Sequence, residues 1–283
     1  MHEIIGLRKD SSISAQCQSD GRRAKARGVD LMRASDVKPE KLAGIWNKRF
    51  YRGKLGFIAG EAGLGKSLIA IHMAATVSTG GAWPCGKGSA RRGDVIYISA
   101  EDSAGNTIRP RLEAAGANLR RVHVVETVND ALGPRPFSLV ADLDRLDKWL
   151  QATRKPRLVI IDPANACLSA ICGHAFNPNS VPQVRALLRR LEAIATKHRV
   201  AIVCVTHFTK AKGGSALARV TGSFVFVAAA RSVFTVVRKV DDPDQRVFAP
   251  AKNNFGRDVD ALAFQIKERV MSDKIAAPYV VFA

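Results

Sequence analysis

Between Gly56 and Ala75 the chain reads GFIAGEAGLGKSLIAIHMAA: an apolar run, a turn carrying three glycines, a Lys-Ser pair, then residues at helical spacing. Gly60, Glu61, Ala62, Gly63, Leu64, Gly65, Lys66 and Ser67 satisfy G-x-x-x-x-G-K-[ST], and the flanking strand and helix patterns supply the context this motif requires. The glycines let successive backbone N–H groups converge on phosphate oxygens, and the helix entered through Ser67 and Leu68 adds the positive end of its dipole. Lys66 is then a point charge for the β- and γ-phosphates, and the Ser67 hydroxyl a ligand for Mg²⁺. The glycine order is G-x-x-G-x-G rather than the dinucleotide order G-x-G-x-x-G, and a dinucleotide turn has no use for Lys-Ser. The expected ligands are ATP and Mg²⁺.

The rest of the chain alternates strand and helix. Strands are expected in KLGFIAG, GDVIYISAE, RRVHVVET, KPRLVIIDP and RVAIVCVTHF, with helices over Ser67–Ser78, in AGNTIRPRLEAAGA, LVADLDRLDKWLQAT and VPQVRALLRRLEAIATKH. Continuous Val/Ile runs suit parallel strands covered on both faces. Two later stretches, ARSVFTVVRKV-DDPDQ-RVFAPAKNNFG and LAFQIKERV-MSDKIAA-PYVVFA, read as hairpins. The expected fold is therefore α/β, a doubly wound and mostly parallel sheet with helices on both faces and a C-terminal antiparallel extension. Residues 1–45, with the cluster GRRAKARG and little periodicity, read as a basic, poorly ordered tail or docking segment preceding an ATPase domain over 46–283.

Three expected strands end in polar residues, and the carboxyl edge of a parallel sheet is where such ends meet a ligand. RLVIID puts Asp162 at a strand tip, positioned to hold Mg²⁺ directly or through water. VIYISAED puts Glu101 at another tip, as a general base or a group that positions water. AIVCVTHF ends in Thr206-His207, and His207 is either a γ-phosphate sensor or a structural histidine.

Lys and Arg number 44 against 25 acids, a formal charge of +19, and such an excess points to a polyanionic partner, nucleic acid before membrane. Five cysteines without CxxC spacing argue for reduced thiols in the cytoplasm. There is no signal-peptide pattern at the start, and the longest apolar run, SFVFVAAARSVFTVV, is broken by Arg231 and too short to span a bilayer.

Together the phosphate loop, the strand-end glutamate, VIIDP, THFTK, TGSFVFVAAARSV and AKNNFG resemble the RecA-like ATPases of the RepA type, hexameric plasmid replicative helicases related to the DnaB-type ring helicases. The likeness covers Ala43 to Phe282. It implies an oligomeric ring that acts on single-stranded DNA in plasmid or phage replication, alongside other replication proteins. It implies that Glu101 is the catalytic base, Asp162 the Mg²⁺ acid and His207 the sensor. A basic finger from a neighbouring subunit is implied too, with Arg231 or Lys252 as candidates. The late strand carries Lys252-Asn253-Asn254 where a Lys-x-Arg pair is usual, and Thr221 stands where an arginine is frequent. In a ring, Lys210, Lys212 and Arg219 of the loop FTKAKGGSALARVTGS would line the channel and track DNA phosphates. The alternative is an assembly or loading factor that uses ATP as a switch with little turnover. A kinase fits less well, since a strand-end glutamate and histidine suit water activation, and no LSGGQ-like stretch of a transporter ATPase is present.

Overall fold

The computed structural model of the chain describes residues 31–283 apart from Lys87, Leu132, 169–175, Asn179, 208–229 and Asp258. The chain divides between Lys41 and Leu42. Of the first unit, the described residues 31–41 are all exposed and hold one short 3-10 turn, Ala34–Asp36.

The second unit is built on a nine-stranded sheet. Its strands are β1 (Leu55–Gly60), β2 (Asp94–Ser99), β3 (Val122–Val125), β4 (Pro156–Asp162), β5 (Ala201–His207), β6 (Ser232–Arg238), β7 (Gln245–Asn253), β8 (Leu262–Val270) and β9 (Ala276–Phe282). They lie in the order β9-β8-β7-β6-β1-β5-β4-β2-β3. From β6 to β3 all neighbours are parallel, while β6, β7, β8 and β9 pair antiparallel. This is the doubly wound sheet with an antiparallel extension that the Val/Ile runs and the two hairpin patterns imply. β1 sits between β6 and β5, buried along its whole length.

Alternate residues of each strand feed two cores. Phe57, Ile96, Val159 and Ile202 face α3 (Leu143–Ala152) and α4 (Val181–His198). Ile58, Val95, Ile160 and Val203 face α1 (Lys66–Thr79) and α2 (Arg109–Ala114). Helices α3 and α4 each bury one stripe, Leu143/Leu146/Leu150 and Val184/Leu187/Leu188/Leu191. Helix α1 is buried on nearly every side, because the sheet, α2 and β9 all pack on it. A two-stranded ribbon, Gly44–Trp46 with Phe50–Tyr51, adds Trp46 to this second core, where the indole stacks on Trp83 at 4.7 Å. A second ribbon pairs Val128–Asp130 with Gly133–Arg135. Its Arg135 grips the buried Asp142 with two bonds, at 2.6 and 2.9 Å, and also pairs with Asp130.

Candidate functional site

β1 ends at Gly60, which is paired across to Val236 on one side and to His207 on the other. A Cβ on Gly60 would sit 2.6 Å from the Val236 carbonyl oxygen, so no side chain fits between β1 and β6 at the mouth of the loop. Gly65 has φ +91°, and a Cβ there would meet the Ile266 side chain at 3.0 Å. These two glycines are fixed by crowding and by backbone geometry, and they set the path of the turn into α1.

Lys66, the first residue of α1, is 3% exposed, and its Nζ donates to the Glu61 carbonyl at 2.6 Å. Burial draws its pKa down to about 8, against the upward pull of Asp162, Glu101 and Glu61. An ammonium held so dry against a backbone carbonyl is poised to exchange that carbonyl for a phosphate oxygen. Asp162 ends β4 next to the end of β2, with Ser99 opposite it. It is 7% exposed and accepts from the Tyr97 hydroxyl at 2.6 Å and from the Ser67 side chain. Burial pushes its pKa up; the Tyr97 and Ser67 hydrogen bonds oppose that rise. The hydroxyl and carboxylate expected to share Mg²⁺ are thus in direct contact, a hard-oxygen donor pair that suits the ion.

Glu101 lies two residues beyond β2, exposed, and its charge acts on both Lys66 and His207. His207 closes β5 level with Gly60, and its buried Nδ1 has no hydrogen-bond partner among the described residues. Desolvation, then the Lys66 charge, lower its pKa against the opposing pull of Glu101, and the net shift favours the neutral ring. An orphaned buried ring nitrogen beside the phosphate loop is a fit for a ligand oxygen. Lys66, Ser67, Asp162, Glu101 and His207, drawn from separate stretches of sequence, therefore converge at one sheet edge.

The finger candidates lie elsewhere. Arg231 precedes Ser232, which pairs with Gly56; strand rise puts it roughly 16 Å from the level of Gly60. Lys252 lies opposite Val233, at the same lower end of the sheet. The two cations are near enough for Arg231 to lower the Lys252 pKa, after burial. Neither is placed to serve the phosphate loop of its own chain. Lys210, Lys212 and Arg219 fall outside the described residues.

Two neighbours of the site leave no signal in the sequence. Tyr97 is one; its hydroxyl partner Asp162 is on another strand, and only strand register brings them together. Cys167 is the other, a buried thiol pushed up to about 12 by desolvation and by the charges of Asp162 and Glu101. Asp102, beside Glu101, is occupied structurally by Arg111 at 2.7 Å. Cys85, Cys167 and Cys204 are free thiols, and no helix among the described residues is long and apolar enough to cross a membrane.

A mostly parallel sheet with a lysine-serine phosphate loop at its centre and acids at the neighbouring strand tips defines a RecA-like P-loop ATPase. The chain belongs to an AAA domain family, whose model matches residues 21–213. It is 26% identical over 227 residues to the DNA repair protein RadA of Bacillus subtilis (strain 168), covering 78% of this chain and 41% of that protein. The match to the DNA repair protein RadA of Brucella abortus (strain 2308) is 26% over 161 residues, 57% of this chain and 30% of the relative. The chain thus spans less than half the length of these relatives. Among solved structures, the ATPase domain of another protein superposes with a TM-score of 0.55 at 12% identity, covering 79% of this chain and 88% of that one, a likeness of fold.

Proposed function

We propose that the chain is an ATP-hydrolysing motor that acts on single-stranded DNA as an oligomeric ring, with Lys66, Ser67, Asp162, Glu101 and His207 as its catalytic set. The observation that carries this is the buried Nδ1 of His207, without a hydrogen-bond partner among the described residues, at the same sheet edge as the desolvated Lys66 and the Ser67–Asp162 pair. Residues Gly60 to Leu68 cradle the triphosphate, and Lys66 leaves the Glu61 carbonyl for the phosphates. Ser67 and Asp162 would hold Mg²⁺, which neutralises phosphate charge when bound. Glu101 takes the proton of the attacking water, which in-line attack requires at the far side of the γ-phosphate. His207, neutral, donates or accepts one hydrogen bond there and sits at the start of the stretch holding Lys210, Lys212 and Arg219, so the state of the phosphate can be passed to DNA contacts.

Arg231 and Lys252, remote from their own loop, are assigned to the site of a neighbouring subunit in a hexamer. The division into a basic N-terminal segment (1–45) and an ATPase domain (46–283), and a cytoplasmic setting within plasmid or phage replication, belong to the same proposal. The named relatives also leave DNA repair as the process served. One observation favours a second reading, an ATP-switched loading factor with weak turnover: Asn253 and Asn254 stand beside Lys252 where a ring helicase carries an arginine. Phosphate release measured with and without a single-stranded oligonucleotide decides between them. Stimulation several-fold above the DNA-free rate supports the motor; a rate near one turnover per assembly, unchanged by DNA, supports the switch.

A further inference from the structure

A second cleft lies at the opposite edge of the sheet from the phosphate loop. It has a volume of about 630 Å³, inside the ~300–1,000 Å³ range of small-ligand sites. Its floor is Ile96 and His123, paired neighbours on β2 and the outer strand β3, and one wall is Trp149 of α3. Trp149 is half-buried, and the fully buried Phe137, which does not line the cleft, braces its indole at 5.9 Å from the core side.

The rim is basic. Arg121 is neutralised by Asp94 at 2.7 Å, and Asp94 is the one acid in the lining. Arg120, at the approach to β3, and Arg154, just past α3, both line the cleft, exposed and without an ion pair among the described residues. An aromatic side chain and two uncompensated guanidinium groups lining one cleft suit a ligand that is planar at one end and anionic at the other. That is the chemistry of a nucleotide unit, and the +19 charge of the chain favours the same class of partner.

We infer that this cleft is a second nucleotide site, separate from the phosphate loop, in which a base stacks on Trp149 and its phosphate is held by Arg120 and Arg154. The unit is supplied either as a free nucleotide or as one residue of single-stranded nucleic acid. The site goes beyond the motor proposed above and does not use its catalytic residues.

Trp149 is a built-in reporter, since Trp46 and Trp83 are 0% and 3% exposed. Tryptophan emission of the full chain carrying Lys66→Ala, which silences the phosphate loop, is followed against AMP, a deoxyadenylate decamer and a hexaglutamate peptide. The expected result is saturable quenching that disappears in Trp149→Phe. Affinity should weaken roughly tenfold in the double variant Arg120→Glu/Arg154→Glu. Quenching by the decamer alone makes the source nucleic acid; quenching by AMP as well makes it a free nucleotide. The inference is overturned if neither nucleotide ligand quenches, if only the peptide does, or if the charge-reversed variant binds as tightly as before. ATP turnover of the double variant on an otherwise native chain should be unchanged without DNA, so failure here is separable from failure of the motor reading.

Discussion

The two edges of the central sheet are made from the same strands yet differ in kind. At the carboxyl edge, Lys66 and Asp162 are almost wholly buried and His207 has a ring nitrogen without a partner among the described residues. At the amino edge, Arg231, Arg120 and Arg154 are exposed, and Lys252 is only partly covered. Charges kept dry cost stability and are useful only against a ligand that replaces water. Charges left wet cost little and can meet a partner arriving from outside. The contrast separates a dry cluster built from one chain's own residues from a wet surface whose cations are open to solvent.

Substitutions test that division, beginning with the largest effect. Glu101→Gln should lower ATP turnover by about 10²–10⁴ while nucleotide affinity stays near that of the native chain; equal losses in both would move Glu101 out of the role of base. Arg231→Ala combined with Lys252→Ala should reduce turnover by about 10³ in the assembled protein, with nucleotide binding preserved. Mixing those chains with Lys66→Ala chains should restore activity, because each supplies what the other lacks; no recovery would place the pair outside a shared site.

Stability supplies the next contrast. A lysine whose folded pKa is about 8 rather than 10.5 destabilises the fold below pH 8, and the penalty fades as pH rises from 8 to 10.5. Lys66→Met should therefore stabilise the nucleotide-free chain at pH 7 by on the order of 3 kcal/mol, raising Tm by roughly 5–10 °C. The gain should shrink toward pH 10, and calorimetric scans at pH 7 and 10 check it. By comparison, Arg154→Ala on the wet edge should move Tm by less than about 1 °C. An effect of comparable size to that of Lys66, confined to acid pH, concerns His72 on α1, held neutral down to about pH 4 by burial. The unfolded chain takes up that proton near 6.5, so stability is lost as pH falls from 6.5 to 4. His72→Gln should flatten that part of the acid limb.

The parallel strands were legible because Val/Ile runs such as RLVIID and VIYIS have no polar face, and because their polar ends fall where a parallel sheet gathers its tips. Strand order was not legible: nothing local in AIVCVTH says that β5 lies between β1 and β4. For the same reason Tyr97 could not be tied to Asp162. The ribbon at Val128–Arg135 has no strand signal, since Asn129, Gly133 and Pro134 read as loop, and the Arg135–Asp142 clamp that fixes it is a tertiary contact. The Gly44–Tyr51 ribbon did leave a signal, paired apolar residues on either side of Asn47-Lys48, with Lys48 at φ +58°. Helix α1 has no polar stripe to reveal it; the phosphate motif before it carried that assignment.

The central claim is that a triphosphate binds where Lys66, Ser67 and Asp162 meet. Isothermal titration of the full chain with ATP and magnesium, beside the Lys66→Ala variant, tests it most directly. One saturable site per chain in the native protein, absent from the variant, is the result this account predicts. No heat from the native protein, or an affinity that Lys66→Ala leaves unchanged, would contradict it.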